Sequence, residues 1–233
     1  MACGVSPGAP SSLYRAQVDT TTKEELWAAV ETFDAEAAEI AIAKLLWDVP
    51  LSGAVVGVVL PFLHEVGDRW ESGSLSVAHE HFVSDMLWRK LSALSAVPPQ
   101  QVLDDAASSS PVVLLACPAG ERHDMVLLCV ALMLRERGMR VRFLGADTPI
   151  PAVLTAARAT GADAVVLAAV RSTAFTAHAT ILRRLAKDHT LYIAGRAADE
   201  QTAAEIGATA LPDDPVRAVV HLVGALNEVS GSW

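Results

Sequence analysis

The hydrophobic period of the chain changes once, and that change constrains the fold more than any other feature. From about residue 21 to 95 apolar residues recur at helical spacing. Thr22 with Glu25 forms a capping-box pattern ahead of Leu26, Val30 and Phe33. Asp34 is placed to cap a second helix that ends near Trp47, before Pro50. A third helix is expected over about 52–69 and a fourth from Ser76 to about Ala93. Four helices joined by short connections predict an antiparallel bundle over 21–95. After Pro111 the pattern becomes short β-rich runs alternating with helices: Val112–Ala116, Arg140–Leu144, Ala164–Val170 and Leu191–Ala194. Buried strands separated by helices predict a doubly wound parallel sheet over 112–233. The chain is thus read as α plus α/β, a four-helix bundle followed by a Rossmann- or flavodoxin-like domain. Residues 1–20 have no period and are expected as a flexible arm, and 96–111, rich in Pro, Asp and Ser, as a linker.

Composition excludes several classes. With 52% hydrophobic and 19% charged residues the chain can bury a core. Its 18 basic against 27 acidic residues, net −9, argue against direct nucleic-acid binding, because phosphate contacts need clustered cations. The longest apolar stretch, Ala54–Leu63, is interrupted by Pro61 and falls short of the roughly 20 residues a bilayer requires. No membrane association is expected. Cys3, Cys117 and Cys129 have no paired spacing, which excludes a disulfide framework and a cysteine-rich zinc site and favours the cytoplasm.

Ligands of such sheets lie beyond the carboxyl ends of the strands, so the loops beginning at Cys117, Gly145, Arg171 and Gly195 are where chemistry is expected. The first, Cys117-Pro118-Ala119-Gly120-Glu121-Arg122-His123, offers an imidazole with a carboxylate two residues earlier. Histidine at a binding edge is a natural metal ligand when an acceptor orients its other ring nitrogen, and Glu121 is that acceptor here. The plainer alternative is a surface or capping histidine.

Glu121-Arg122-His123, Gly145-Ala146-Asp147-Thr148-Pro149 and Ala194-Gly195-Arg196 together resemble the cobalamin-binding fold. The resemblance implies that His123 ligates cobalt from below, that Glu121 orients it, and that the cofactor's tail runs along the loops. Arg122, Asp147, Thr148, Ala168, Ser172, Gly195 and Arg196 are the further cofactor contacts it suggests. The chain departs from the family at Val126, where glycine is usual, at Ala168 or Ser172, which match its serine loosely, and at Ala194, which replaces one of two glycines.

In the helical part, Trp70 is followed ten residues later by Glu80-His81. This resembles the upper-face motif of the CarH-like light-sensing family, in which the tryptophan covers the adenosyl group and the Glu-His pair flanks it. An indole packs well on adenine and a carboxylate accepts from sugar or amine donors. The alternative is that Trp70 and His81 are bundle core, His81 sharing a helical face with Val77, Trp88 and Leu91. In this reading His81 points inward and His79 sits at the rim. The family carries a histidine directly after the tryptophan, where this chain has Glu71, and no helix-turn-helix segment is read before the bundle.

The resemblance therefore implies a non-enzymatic, cytoplasmic light sensor. Adenosylcobalamin is held between bundle and sheet domain, and cleavage of its cobalt–carbon bond alters assembly or partner binding. It implies a homo-oligomer and a downstream protein partner, a transcription factor or signalling enzyme. Related stand-alone photocobilins add a linear bilin such as biliverdin, for which Arg69, Arg122, Arg171 and His79 are the cationic candidates. The competing class is a corrinoid methyl carrier of a methyltransferase system, which needs His123 but not Trp70, Glu80 and His81. A metal-free flavodoxin- or receiver-like module is disfavoured, since no phosphoacceptor pocket or phosphate-binding glycine loop is visible.

Overall fold

The computed structural model describes residues 20–47, 49–94 and 109–230. The expected arm and most of the expected linker lie outside them. The chain divides into two compact units, Met1–Arg89 and Lys90–Trp233.

The first unit is helical: α1 (Thr20–Glu31), α2 (Ala35–Leu45), α3 (Leu51–Glu71) and α4 (Val77–Leu94). Asp34 caps α2 as expected, its carboxylate accepting from the Ala37 amide at 2.9 Å. Thr22 lies inside α1 and is buried, so the predicted capping box does not start that helix. Phe33 is also displaced from the expected face. It sits in the α1–α2 turn at φ 56° and stacks on the His79 ring at 4.3 Å. Pro61 is carried within α3, because Val55–Val59 forms a π-helical segment in which the Leu60 amide reaches back to the Val55 carbonyl. The wider turn eases the clash that a proline ring otherwise makes with the preceding turn. By length and composition alone the 21 residues of Leu51–Glu71 could cross a membrane, which the broken apolar stretch did not suggest. Their apolar face, including Val55, Val59, Phe62 and Val66, is buried.

Charge reinforces this packing between α1 and α3. Glu65 on α3 pairs with Lys23 of α1 at 2.6 Å and with Arg69 one turn on at 3.0 Å. The Arg69 guanidinium lies 3.6 Å over the Trp27 ring, which itself packs on Phe62.

The second unit is a five-stranded, wholly parallel sheet of order β2-β1-β3-β4-β5. Its strands are β1 (Val112–Pro118), β2 (Arg140–Thr148), β3 (Ala164–Ala168), β4 (Thr190–Ala194) and β5 (Thr209–Ala210). The helices are α5 (Met125–Glu136), α6 (Ile150–Thr160), α7 (Thr173–Thr176), α8 (Ala179–Asp188), α9 (Glu200–Ile206) and α10 (Pro215–Ser230). Val112, Leu114 and Ala116 face one core with Ile150, Phe175, Leu182 and Ile206. Alternation turns Val113 and Leu115 to the other face. There α5 buries Leu127 to Leu134 without a break, packed on β1, β2 and α10. The fold class is the one expected. The short β5 was missed because two residues carry no period. The loop expected at Gly145 is instead strand: β2 continues to Thr148, with register shifts opposite Leu115–Ala116 and Ala116–Pro118. Such bulges bend a strand's end and re-aim its side chains, often beside a functional site.

The Glu65 cluster makes acid sensitivity of the helical unit predictable. Burial raises the Glu65 pKa, but Lys23 and Arg69 outweigh it and hold the carboxyl below its ordinary value. A group depressed in the folded state stabilises above its unfolded pKa and loses that contribution as pH falls through the folded one. Glu65→Gln should therefore lower the melting temperature at neutral pH by roughly 2–4 °C. The gap to wild type should close on acidification to about pH 3, as read by circular dichroism.

Candidate functional site

The order β2-β1-β3 makes the gap between β1 and β3 the topological switch point, where parallel sheets receive ligands at the carboxyl ends of their strands. The loop after β1 crosses this gap through Glu121, whose side chain is buried beneath it. One carboxylate oxygen accepts from the Val170 amide, beyond β3, at 2.7 Å. The other accepts from the His123 amide at 3.0 Å and from the His123 ring Nδ1 at 2.5 Å. A carboxylate only accepts, so Nδ1 bears a proton, and in the neutral ring Nε2 is the nitrogen that keeps a lone pair. The His123 side chain is 67% exposed, against 5% for Glu121. Burial raises the proton affinity of Glu121, while the Val170 amide, the His123 amide and the His123 ring outweigh it and keep the carboxyl below its usual range. The result is an anchored, exposed imidazole whose Nδ1 is engaged and whose Nε2 is the nitrogen left for a ligand.

The neighbouring loops are fastened to the same point. Asp147, at φ 51°, accepts from the Gly120 amide at 2.7 Å, and its own amide donates to the Glu121 carbonyl at 2.8 Å. Asp147 thus has a bracing role that the sequence did not reveal. Thr148 turns its hydroxyl to the Gly145 and Ala146 carbonyls, each at 3.3 Å. Gly195, at φ +83°, passes so near β3 that a Cβ there would stand 2.6 Å from the Ala169 carbonyl oxygen. Only glycine satisfies both demands. Ala168 ends β3, paired with Ala194, while Arg122, Ser172 and Arg196 are exposed. Val126 is 42% exposed, so the residue standing where the family has glycine does not crowd the core. Sequence reading missed the Val170 amide, as a main-chain donor has no side-chain signature. Burial pushes the thiols of Cys117 and Cys129 up to about 12, which removes both as nucleophiles at neutral pH.

In the helical unit Trp70 is 49% exposed and Trp88 is 44% exposed. His81 is 75% exposed, with its Nε2 3.5 Å from Glu80. The face that His81 shares with Val77 and Trp88 is therefore not bundle core, and the expected inward position of His81 is wrong. Leu91 alone of that set is buried. The half-buried histidine is His79, whose Nδ1 accepts from the Ser76 amide at 3.2 Å and lies 2.7 Å from the Ser76 hydroxyl. It occupies the place of the glutamate in a capping box and starts α4. An amide only donates, so the His79 proton is on Nε2 and no lone pair remains free for a metal. Glu80 is steadied by the Ser84 hydroxyl at 2.7 Å. Of the four bilin candidates, Arg69 is committed to Glu65 and Trp27 and His79 to Ser76, whereas Arg122 and Arg171 are exposed.

Among the described residues no group of three or more His, Cys, Asp or Glu side chains gathers to hold a bare ion. A single exposed imidazole suits a metal whose other ligands come with a cofactor, and a corrin is such a cofactor. Residues 22–95 match a family described as a B12 binding domain, and residues 111–214 match a second of the same description. The chain belongs to the B12-binding family.

It is CarH-like in sequence. It is 37% identical over 153 residues to the HTH-type transcriptional repressor CarH of Myxococcus xanthus, covering 65% of this chain and 48% of that protein. It is 25% identical over 201 residues to dimethylamine corrinoid protein 1 of Methanosarcina acetivorans, covering 84% and 93% of the two. The fold aligns with that of the Methanosarcina barkeri monomethylamine corrinoid protein at a TM-score of 0.68 and 17% identity, over 89% of this chain and 99% of that one. The chain spans about half the length of the repressor it matches. These relatives are named as a repressor and as corrinoid proteins.

Two substitutions test the framework. Gly195→Ala should destabilise the sheet unit by about 1–3 kcal/mol, through left-handed backbone and collision with Ala169, as read by denaturant unfolding. Glu121→Ala, which strands the Val170 and His123 amides, should cost about 2 kcal/mol in the same assay.

Proposed function

We propose that this protein is a light-responsive regulator that uses adenosylcobalamin, with His123 as its ligand to cobalt. The observation that carries the reading is the Glu121–His123 pair, which fixes the proton on Nδ1 and aims a free Nε2 outward. When bound, the cofactor supplies a light-labile cobalt–carbon bond. The chain's own part is to fix the imidazole's tautomer and direction and to brace the loops through Asp147 and Gly195. Trp70, Glu80 and His81 serve the adenosyl side, a role supported by their exposure and by the likeness to CarH. Arg122, Thr148, Ala168, Ser172 and Arg196 are assigned to the corrinoid's edge and tail. Glu71 and the committed ring of His79 leave His81 as the histidine able to act in the illuminated state. A linear bilin would draw its cations from Arg122 and Arg171. A change in assembly, or in the hold on a regulatory protein, is the output.

The second reading is a corrinoid methyl carrier, favoured by the match to 93% of a dimethylamine corrinoid protein. Both readings need His123; only the first needs the exposed Trp70.

Absorption spectra of protein reconstituted with adenosylcobalamin, in the dark and under green light, decide between them. A fast, protein-bound spectral change with altered sedimentation supports the sensor. A methyl carrier holds methylcobalamin at least as tightly and shows no light-dependent assembly. His123→Ala should shift the dark spectrum toward a form without a protein nitrogen and weaken cobalamin binding, with Glu121→Gln losing about 10–100-fold. Trp70→Ala should cost affinity for adenosylcobalamin and spare methylcobalamin, since the indole packs on adenine and not on a methyl group. Equal losses for both cofactors return Trp70 to a structural role.

A further inference from the structure

Strand β2 forms one edge of the sheet, beside β1, and runs extended from Arg140 to Thr148. The Arg140 amide donates to the Pro111 carbonyl at 3.0 Å, so Arg140 turns its main-chain groups toward β1. Along a parallel strand these groups alternate sides residue by residue, so Val141 and Phe143 direct theirs away from the sheet. The Val141 carbonyl receives a long bond, 3.4 Å, from Arg142 Nη1. Outward main-chain groups on an edge strand are a template for one more strand.

The side chains along that edge say what is added. Val141 is buried, whereas Arg140, Arg142 and Leu144 share the opposite face, with Arg142 exposed and Leu144 39% exposed. Arg140 donates to the Ser110 carbonyl at 2.8 Å, and Arg137, just before the strand, to the Met133 carbonyl at 3.0 Å. Among the described residues no carboxylate pairs with Arg137, Arg140 or Arg142. In a chain of net charge −9 this is a local excess of positive charge. Guanidiniums bonded to carbonyls alone suit carboxylates from outside, since charge-assisted bonds are the stronger. A second copy suits the edge poorly, because two β2 edges would bring the same cations together. Nucleic acid suits it poorly too, having no main chain to continue the ladder.

We propose that the β2 edge binds an extended acidic segment of a partner protein as an added outer strand. The segment's main chain pairs with Val141 and Phe143. Two carboxylates, two residues apart, meet Arg140 and Arg142, and an apolar side chain two residues further on covers Leu144. The proposal is independent of the light-sensing reading, since none of these residues is assigned to the cofactor.

Fluorescence anisotropy of the full chain, in the dark and without cofactor, tests it with labelled, capped peptides. The probes are Thr-Glu-Thr-Glu-Thr-Leu-Thr and its reverse, which serve parallel and antiparallel addition. One of them should bind saturably below about 500 μM, with affinity falling as salt screens the charges. Arg142→Glu should weaken that binding about tenfold or more, and a lysine at the peptide's central glutamate should restore it. Thermal melts should show that the variant remains folded. N-methylation separates strand addition from plain charge attraction. Methyls on the alternate amides that face β2 should abolish binding, while methyls on the other set should spare it. Failure of both peptides to bind, indifference to Arg142→Glu, or equal tolerance of both methylated sets would each overturn the proposal. So would a single-stranded oligonucleotide that displaces the labelled peptide as well as unlabelled peptide does.

Discussion

The candidate site depends on one buried carboxylate. Glu121 takes three N–H donors, two on one oxygen and one on the other, from the loops after β1 and β3. Leaving that group in water would cost the fold nothing locally. Burying it is tolerable only because each donor is placed by the backbone, and an unmatched ion there would be strongly unfavourable. The same bonds that make the burial affordable decide the chemistry above it, because they fix which ring nitrogen of His123 carries a proton. Structure and ligand geometry are here one constraint.

Around that carboxylate the loops hold one another rather than the sheet holding each separately. Asp147 joins the β2 end to the β1 loop through Gly120 and the Glu121 carbonyl. Gly195 lets the β4 end lie against Ala169, whose carbonyl receives the Ala197 amide. The register of β2 shifts against β1 as the strand approaches this meeting point. A rigid, glycine-dependent rim suits a large planar cofactor, which needs backbone at close range more than it needs many side-chain contacts.

The helical unit solves a different problem. It buries its stripes in the usual way but leaves Trp70, Trp88, Ile40 and Trp47 in the open. Large exposed aromatics on a small bundle mark surfaces meant to be covered. Trp70 belongs to the proposed cofactor reading, with Glu80 and His81 beside it in sequence. Ile40 lies apart from these on α2, with Trp47 just past its end.

Much of this was legible in the residues. The change of hydrophobic period gave the two parts, Asp34 announced α2, and the spacing of Glu121 and His123 announced an imidazole held by a neighbouring acid. The chain by itself also fixed the fold class, since helical and strand periods are local properties of side-chain order. What it could not give were features made by residues far apart or by the main chain: the Val170 amide on Glu121, the bracing by Asp147, and the continuation of β2 through Gly145. It also misled about the two histidines of α4. Period alone put His81 inward, yet the helix turned that face to solvent, while His79 was claimed by Ser76 and Phe33. Period tells which residues share a face. Only packing in three dimensions decides which face is buried, and only the hydrogen bonds made there decide which ring nitrogen is left free.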